Sequence, residues 1–348
     1  MRVLVIGGTL FIGKALVTAL LKAGHEVTVL HRKNRHKLGK KVRTLMADRN
    51  DPATVEAAVA GHRFDVVFDN VYDWERGTTA DHVLATARAV SQGLSRYVFM
   101  SSVAAYGDGL NHQEGDALAP DHHADAYVRN KAMSERALFR LHQRSGLPVV
   151  TLRPPFVYGP ENPFYREQFF WDRMKLGRPI IIPGDGRRLM QFVFVKDLVR
   201  ACLAAMETPG IAGHAFNIAS PRPVTQEDFV IAVGVAAKKK KSALVHVPRL
   251  RLLRAGGDAM KPPLYYGTYY DLPPITQVVN KARRMLKFKA TPLADGLRET
   301  YLWYLKHHKR PKQDFSFEDA MLATASRVTD GKGQLLSGAK FDKPLHRK

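Results

Sequence analysis

Val3-Leu4-Val5-Ile6-Gly7-Gly8-Thr9-Leu10-Phe11-Ile12-Gly13 opens the chain as a strand, a glycine turn and the start of a helix. Four successive aliphatic residues suit a strand covered on both faces. Gly7 allows the tight turn, a helix N-terminus near Ile12 offers N–H groups to a pyrophosphate, and Gly13 permits close helix–sheet packing. The strand before and the helix after raise this run above a chance cluster of glycines, although an ordinary glycine-rich βα turn has the same ingredients.

Outward from this turn, short aliphatic runs alternate with longer amphipathic ones. Glu26 to Leu30, Val42 to Met46, Val66 to Asp69, Tyr97 to Met100 and Val149 to Leu152 read as buried strands. Helices are predicted over Ile12 to Ala23, closed by Gly24, and over Pro52 to Ala60, capped by Asp51. This alternation predicts an α/β fold, a Rossmann-like doubly wound parallel sheet with a smaller C-terminal substrate lobe. Residues 1–155 form the expected nucleotide-binding domain and 156–310 the substrate-binding lobe, whose chain can cross back to the first domain. In that lobe Thr225-x-x-Asp228 starts one helix and Leu293 to Leu305 forms another. Residues 311–348 are basic and aperiodic, which predicts a loosely ordered tail.

At 348 residues and 45% hydrophobic content the chain can bury a large core. Its one cysteine, Cys202, lies in an apolar helical pattern and reads as a core thiol in a reducing compartment. Neither a signal peptide nor an apolar run of roughly 20 residues is apparent, so the expectation is a cytoplasmic protein without a membrane partner. A single cysteine and the adjacent pairs His122-His123 and His307-His308 do not suit a metal site, and solvated positions are expected for these histidines. The net charge of +22 is the unusual quantity: Arg32 to Arg43 holds seven Lys and Arg without an acid. Such a field favours an anionic small-molecule substrate or nonspecific contact with nucleic acid, and general surface basicity accounts for it equally well.

Tyr127-Val128-Arg129-Asn130-Lys131 sets a phenol and an ammonium on one helical face. A phenol is a poor base at neutral pH, but a neighbouring cation stabilises its phenolate. Upstream, Phe99-Met100-Ser101-Ser102 ends a strand, and Val103-Ala104-Ala105-Tyr106-Gly107 follows.

These residues together resemble the extended short-chain dehydrogenase/reductase superfamily, of the NAD-dependent epimerase/dehydratase type. Its turn reads Gly-x-x-Gly-x-x-Gly, and Leu10 stands here at the middle glycine, where a side chain would crowd a phosphate. The form Gly-Gly-Thr-x-Phe-Ile-Gly is similar to a sub-branch that includes chloroplast stem-loop RNA-binding proteins. Further matches are Leu152 to Pro160, Gly184-Asp185-Gly186 and Gln191 to Asp197, so the resemblance runs to about residue 307. It implies Ser102, Tyr127 and Lys131 as the catalytic set: Ser102 orienting the substrate oxygen, Tyr127 exchanging a proton with it, and Lys131 holding the cofactor ribose. The 25 residues from Ser102 to Tyr127 match the sugar-nucleotide epimerases.

For the cofactor, the resemblance implies contacts from Gly7, Thr9, Phe11, Ile12 and Gly13 in the turn, and from Tyr127 and Lys131. Asp48 takes the adenine amino group, with Arg49 beside it, and Pro154 and Val157 flank the nicotinamide. Where NAD-specific relatives carry an acid after the second strand, this chain has His31-Arg32-Lys33, and Arg32 suits a 2′-phosphate. NADP is therefore expected over NAD. A homodimer is expected by resemblance. Met190 and Gln191 replace the family's diphosphate-gripping arginine and its neighbour, and Val103-Ala104 lack the acid–base pair of the dehydratases. Hydride transfer on a carbonyl/alcohol pair remains, as epimerisation or as net oxidation or reduction, with a sugar nucleotide as one substrate class. RNA binding or processing on the same scaffold is the alternative.

Overall fold

The computed structural model describes residues 1–33, 36–238, 243–257 and 272–323, with the backbone of 328–329. Lys239 to Lys241 and the tail beyond residue 329, where part of the basic charge resides, lie outside the described residues. The chain divides into two compact units, Met1–Pro163 with Gln191–Arg222 and Ile275–Pro292, and Phe164–Met190 with Pro223–Pro274 and Leu293–Lys348. It therefore passes between the units repeatedly. The returns are fixed by pairing: Phe192–Phe194 runs parallel to Phe156–Tyr158, and His214–Asn217 to Val149–Arg153.

In the first unit, β1 (Arg2–Ile6), β2 (Glu26–His31), β3 (Arg43–Met46), β4 (Val66–Asp69) and β5 (Arg96–Met100) join Val149–Arg153 and His214–Asn217 in one seven-stranded sheet. The order across it is His214–Asn217, Val149–Arg153, β5, β4, β1, β2, β3, and every pairing is parallel. Chain order reverses between β1 and β4, where a doubly wound sheet opens a crevice beyond its carboxyl ends. Helices α1 (Phe11–Lys22), α2 (Pro52–Val59), α3 (Ala80–Ala89) and α4 (Ala126–Ser145) cross over between strands. The Asp51 carboxylate caps α2 by accepting from the N–H groups of Ala53 and Thr54. The core on one side of the sheet gathers Leu4, Ile6, Val67, Tyr97 and Phe99 with Val83, Ala87 and Leu138 from α3 and α4. Cys202 is fully buried, and burial pushes its thiol up to about 12, as suits a core thiol.

The second unit pairs Ile180–Pro183 with Leu244–Val247, and Leu189–Met190 with Val224–Thr225. Thr225 caps the helix Gln226–Ala236 by accepting from the Asp228 N–H. The expectation of a loosely ordered segment from residue 311 is corrected here: Ser316–Leu322 is a helix. Its Met321 joins Ile181, Val245, Val247 and Leu252 in a core. Its Glu318 accepts from Arg173 Nε at 2.6 Å, and the Arg173 guanidinium lies over the Phe169 ring. His308 is likewise not a solvated side chain, because its Nε2 lies 3.0 Å from buried Asp172.

Candidate active site

The turn after β1 is tight enough to require its glycines. Gly7 has φ of +82°, and a Cβ there would stand 2.2 Å from a Val71 methyl. At Gly13 a Cβ would stand 1.9 Å from the Gly7 carbonyl oxygen, so this glycine lets α1 close onto the turn itself. Phe11 takes a φ of 36°, a strained value for an aromatic residue, at the helix entrance. Leu10 is 69% exposed at the mouth of the turn. It caps α1 without a side-chain hydrogen bond to the helix N–H groups. Two close-packed glycines and a first turn without a side-chain cap fit a dinucleotide pyrophosphate. Thr9 and Ile12 are half-buried in the same turn, and Lys14 pairs with Glu161 at 2.6 Å beside it.

Ser101 and Ser102 follow β5 directly, and their hydroxyls have different partners. Ser101 donates inward to the buried Glu135 carboxylate. Ser102 Oγ accepts from the Ala104 N–H at 3.1 Å, which leaves its own O–H to donate. Pro154 follows Val149–Arg153 and holds the next residue, its carbonyl accepting from the Val103 N–H at 3.0 Å. Val157 is buried and pairs with Val193, so its side chain belongs to the packing behind this edge.

Helix α4 starts one residue before Tyr127, with Asp125 capping the N–H groups of Tyr127 and Val128. Lys131, one turn on, is 5% exposed and donates to the Met100 carbonyl at 2.7 Å. Its ammonium lies 5.8 Å from the Tyr127 ring centre and 4.9 Å from that of Phe99. Burial pushes Lys131 down to about 8, with Asp69 and Glu135 opposing the shift and Arg49 adding to it. The structure thus brings Lys131 and Tyr127 together on the helix, and ties Lys131 to the strand end that carries Ser102.

Beneath the strand ends lies a buried polar network. Glu135, one turn after Lys131, accepts from Ser101, Thr151 and Arg153; Arg153 also donates to the Tyr106 hydroxyl at 2.6 Å. Tyr106 in turn donates to Asn217 Oδ1 at 2.9 Å. Burial pushes the Tyr106 phenol up to about 12 against the pull of Arg153, so it is a fixed donor. The spacing from Lys131 to Glu135 was readable on the helix; its partner Arg153, on another strand, was not.

Around the cofactor edge, the residues expected from sequence separate. Asp48 is half-buried and receives the Arg76 guanidinium at 2.7 Å. Arg32 is exposed, 3.5 Å from the Asp73 carboxylate. Arg49 is the correction: it is 5% exposed, paired with Asp69 at 2.6 Å, and donates to the His82 carbonyl and Thr86 hydroxyl on α3. Its guanidinium ties β3, β4 and α3 together inside the core and is not presented to a ligand. Trp74 and Arg76, on the loop after β4, went unnoticed in the sequence. The Trp74 ring stacks on Tyr127 with centroids 4.7 Å apart, while Tyr72 meets Tyr127 edge-on.

The parallel sheet, its glycine turn and the phenol–ammonium pair at the strand ends define a nucleotide-binding α/β protein of the extended short-chain dehydrogenase/reductase type. The family profile described as NAD dependent epimerase/dehydratase matches residues 3–219, and the chain belongs to that family. It is 31% identical over 261 residues to the chloroplast stem-loop binding protein of 41 kDa b of Arabidopsis thaliana, covering 70% of this chain and 65% of that one, just under two thirds of the relative's length. It is 27% identical over 339 residues to dTDP-4-dehydro-6-deoxy-D-allose reductase of Streptomyces bikiniensis, covering 88% of this chain and 97% of that one. In fold it resembles UDP-glucuronic acid 4-epimerase of Bacillus cereus, solved with NAD, at TM-score 0.69 and 21% identity over 89% of this chain and 100% of that one. Among the described residues no cluster of His, Cys, Asp and Glu is arranged to hold a metal, and no helix is long and apolar enough to cross a membrane.

Proposed function

We propose that the protein is an NAD(P)-dependent oxidoreductase or epimerase acting by hydride transfer on a carbonyl/alcohol pair of a small molecule, with NADP(H) favoured. The observation that carries this reading is the buried Lys131 ammonium, anchored to the end of β5 and facing the Tyr127 ring at 5.8 Å. The Tyr127 hydroxyl gives its proton to the substrate oxygen in reduction and takes it back in oxidation. Lys131 stabilises the phenolate left behind while it is charged, below about pH 8. Ser102 donates to the same substrate oxygen and sets its direction. The nicotinamide, when bound, supplies or accepts the hydride. Epimerisation and net oxidation or reduction use the same proton path.

The substrate side departs from sugar-nucleotide relatives. Met190 is buried, and Gln191 is buried between the Ser220 carbonyl and the backbone of Gln277, so neither grips a diphosphate. The test is Tyr127→Phe: turnover of an established carbonyl substrate is expected to fall by about a hundredfold or more, with cofactor affinity nearly intact. Near-normal turnover would sink the assignment.

A second reading, RNA binding, has one specific support: the similarity to the stem-loop binding relative in a chain of net charge +22. We expect that charge to act as a nonspecific polyanion field. Titration of a stem-loop RNA and a scrambled control is expected to show equal, weak binding that collapses with salt through counterion release. Structure-selective binding that survives physiological salt would put the RNA reading first.

A further inference from the structure

We propose that Arg32 and Arg76 together form the site for the 2′-phosphate of NADP(H), and that the Asp73 carboxylate is the internal stand-in which this phosphate displaces. The inference deepens the cofactor preference above and rests on that reading. Three loops leaving the carboxyl ends of β2, β3 and β4 meet here. Arg76 Nε and Nη2 donate to Asp73 Oδ2 at 2.9 and 2.7 Å, and Arg32 Nη1 reaches the same oxygen at 3.5 Å. Arg76 Nη2 also bridges both oxygens of Asp48, at 2.7 and 3.0 Å. Two guanidinium forks from different loops thus converge on one anionic oxygen.

That arrangement suits a phosphomonoester better than a carboxylate. A phosphate offers three acceptor oxygens and a charge of about −1.5 to −2 near neutral pH, so each fork can take its own oxygen. Both arginines are reachable, with side chains 62% and 49% exposed. The loop does not depend on the contact that would be given up. Asp73 Oδ1, the other oxygen, accepts from the N–H groups of Glu75 and Arg76, and the Asp73 N–H donates to Thr78. Asn50 holds the loop's far end, donating to the Gly77 carbonyl at 2.6 Å and accepting from Thr78. Displacing Asp73 Oδ2 therefore leaves the loop in place and both guanidinium groups positioned. The dinucleotide crevice of a doubly wound sheet opens at this edge, beside the Gly7 to Gly13 turn.

The test is calorimetry on the full chain with adenosine 2′,5′-bisphosphate and 5′-AMP, two probes that differ only in the 2′-phosphate. The unmodified protein is expected to prefer the bisphosphate. Arg76→Ala is expected to weaken the bisphosphate by about tenfold and leave 5′-AMP unchanged, with Arg76→Lys in between. Asp73→Asn keeps the Oδ1 acceptor of the turn and removes the competing charge, so it is expected to tighten the bisphosphate alone. A full bisphosphate preference in Arg76→Ala would overturn this inference while leaving the cofactor reading standing on Arg32. Equal loss of both probes would assign Arg76 to the adenosine and overturn it too. No preference in the unmodified protein would overturn both the inference and the NADP reading.

Discussion

Two arginine–carboxylate clusters lie along the carboxyl ends of the same sheet, at the same separation and in opposite surroundings. Arg153 and Glu135 meet at 2.7 Å with side chains 3% and 0% exposed. Arg76 and Asp48 also meet at 2.7 Å, with side chains 49% and 28% exposed. In the first cluster every neighbour is a fixed protein group: Ser101, Thr151 and the Tyr106 hydroxyl. Losing one partner there strands a charge away from water. In the second, water solvates whatever is left, so the pair contributes little to stability and its members are free to change partners. The buried cluster ties the end of β5, next to Ser102, to the helix α4 that carries Lys131; the exposed one can receive a ligand.

The largest effect should come from breaking the buried pair. Glu135→Ala leaves the Arg153 guanidinium with the Tyr106 hydroxyl and the Glu114 carbonyl as its remaining partners. It also removes the acceptor of Ser101 and Thr151. A loss of about 3–5 kcal/mol in urea unfolding is expected. A loss under about 1 kcal/mol would mean that water reaches this network, and the contrast with the exposed pair would fail.

Lys131 gives the next effect, and its sign follows from its burial. Its value of about 8 lies below the 10.5 of a free lysine, so between those limits the unfolded chain binds more protons than the folded one. Stability contributed by this group therefore rises with pH from about 8 to about 10.5, by on the order of 3 kcal/mol. Below pH 8 the buried charge is a full penalty. Lys131→Met should flatten that part of the stability–pH curve and raise stability at pH 7, less the donor lost from the Met100 carbonyl, while abolishing turnover. Such a trade is expected where a site holds a charge for chemistry rather than for folding. Matching urea stabilities at pH 7 and pH 9.5 for the two proteins, after the change, would refute it.

The sheet was legible because its strands are short, largely aliphatic runs, with Gly7, His31 and Asp69 marking the ends of β1, β2 and β4. Val66–Asp69 was read to the residue, and Asp51 and Thr225 were recognised as caps from the residues that follow them. The Tyr127–Lys131 pair was legible because four residues on a helix fix a shared face. What sequence could not show is which groups meet across strands. Arg49 sits in a segment that resembles a cofactor contact, yet Asp69, twenty residues on, draws it into the core. Arg76 gained no notice because its partners, Asp48 and Arg32's neighbour Asp73, become one cluster only when three loops meet. The helix Ser316–Leu322 is short and lies in a basic segment, so the burial of Met321 and the pairing of Glu318 with Arg173 decide its order.

The smallest expected effect sharpens the comparison most directly. A double-mutant cycle on stability with Arg76→Ala and Asp48→Ala isolates the exposed pair, and one with Arg153→Met and Glu135→Gln isolates the buried pair. The exposed coupling should be weakly favourable at low salt and vanish near 1 M salt, where the Debye length is about 3 Å. Ions cannot enter between Arg153 and Glu135, so the buried coupling should persist across the same range. A salt-resistant Arg76–Asp48 coupling would mean that the loop after β4 is locked as firmly as the strand ends, and a phosphate could not then displace Asp73. A coupling that fades with salt leaves both guanidinium groups exchangeable, as a ligand-receiving edge requires.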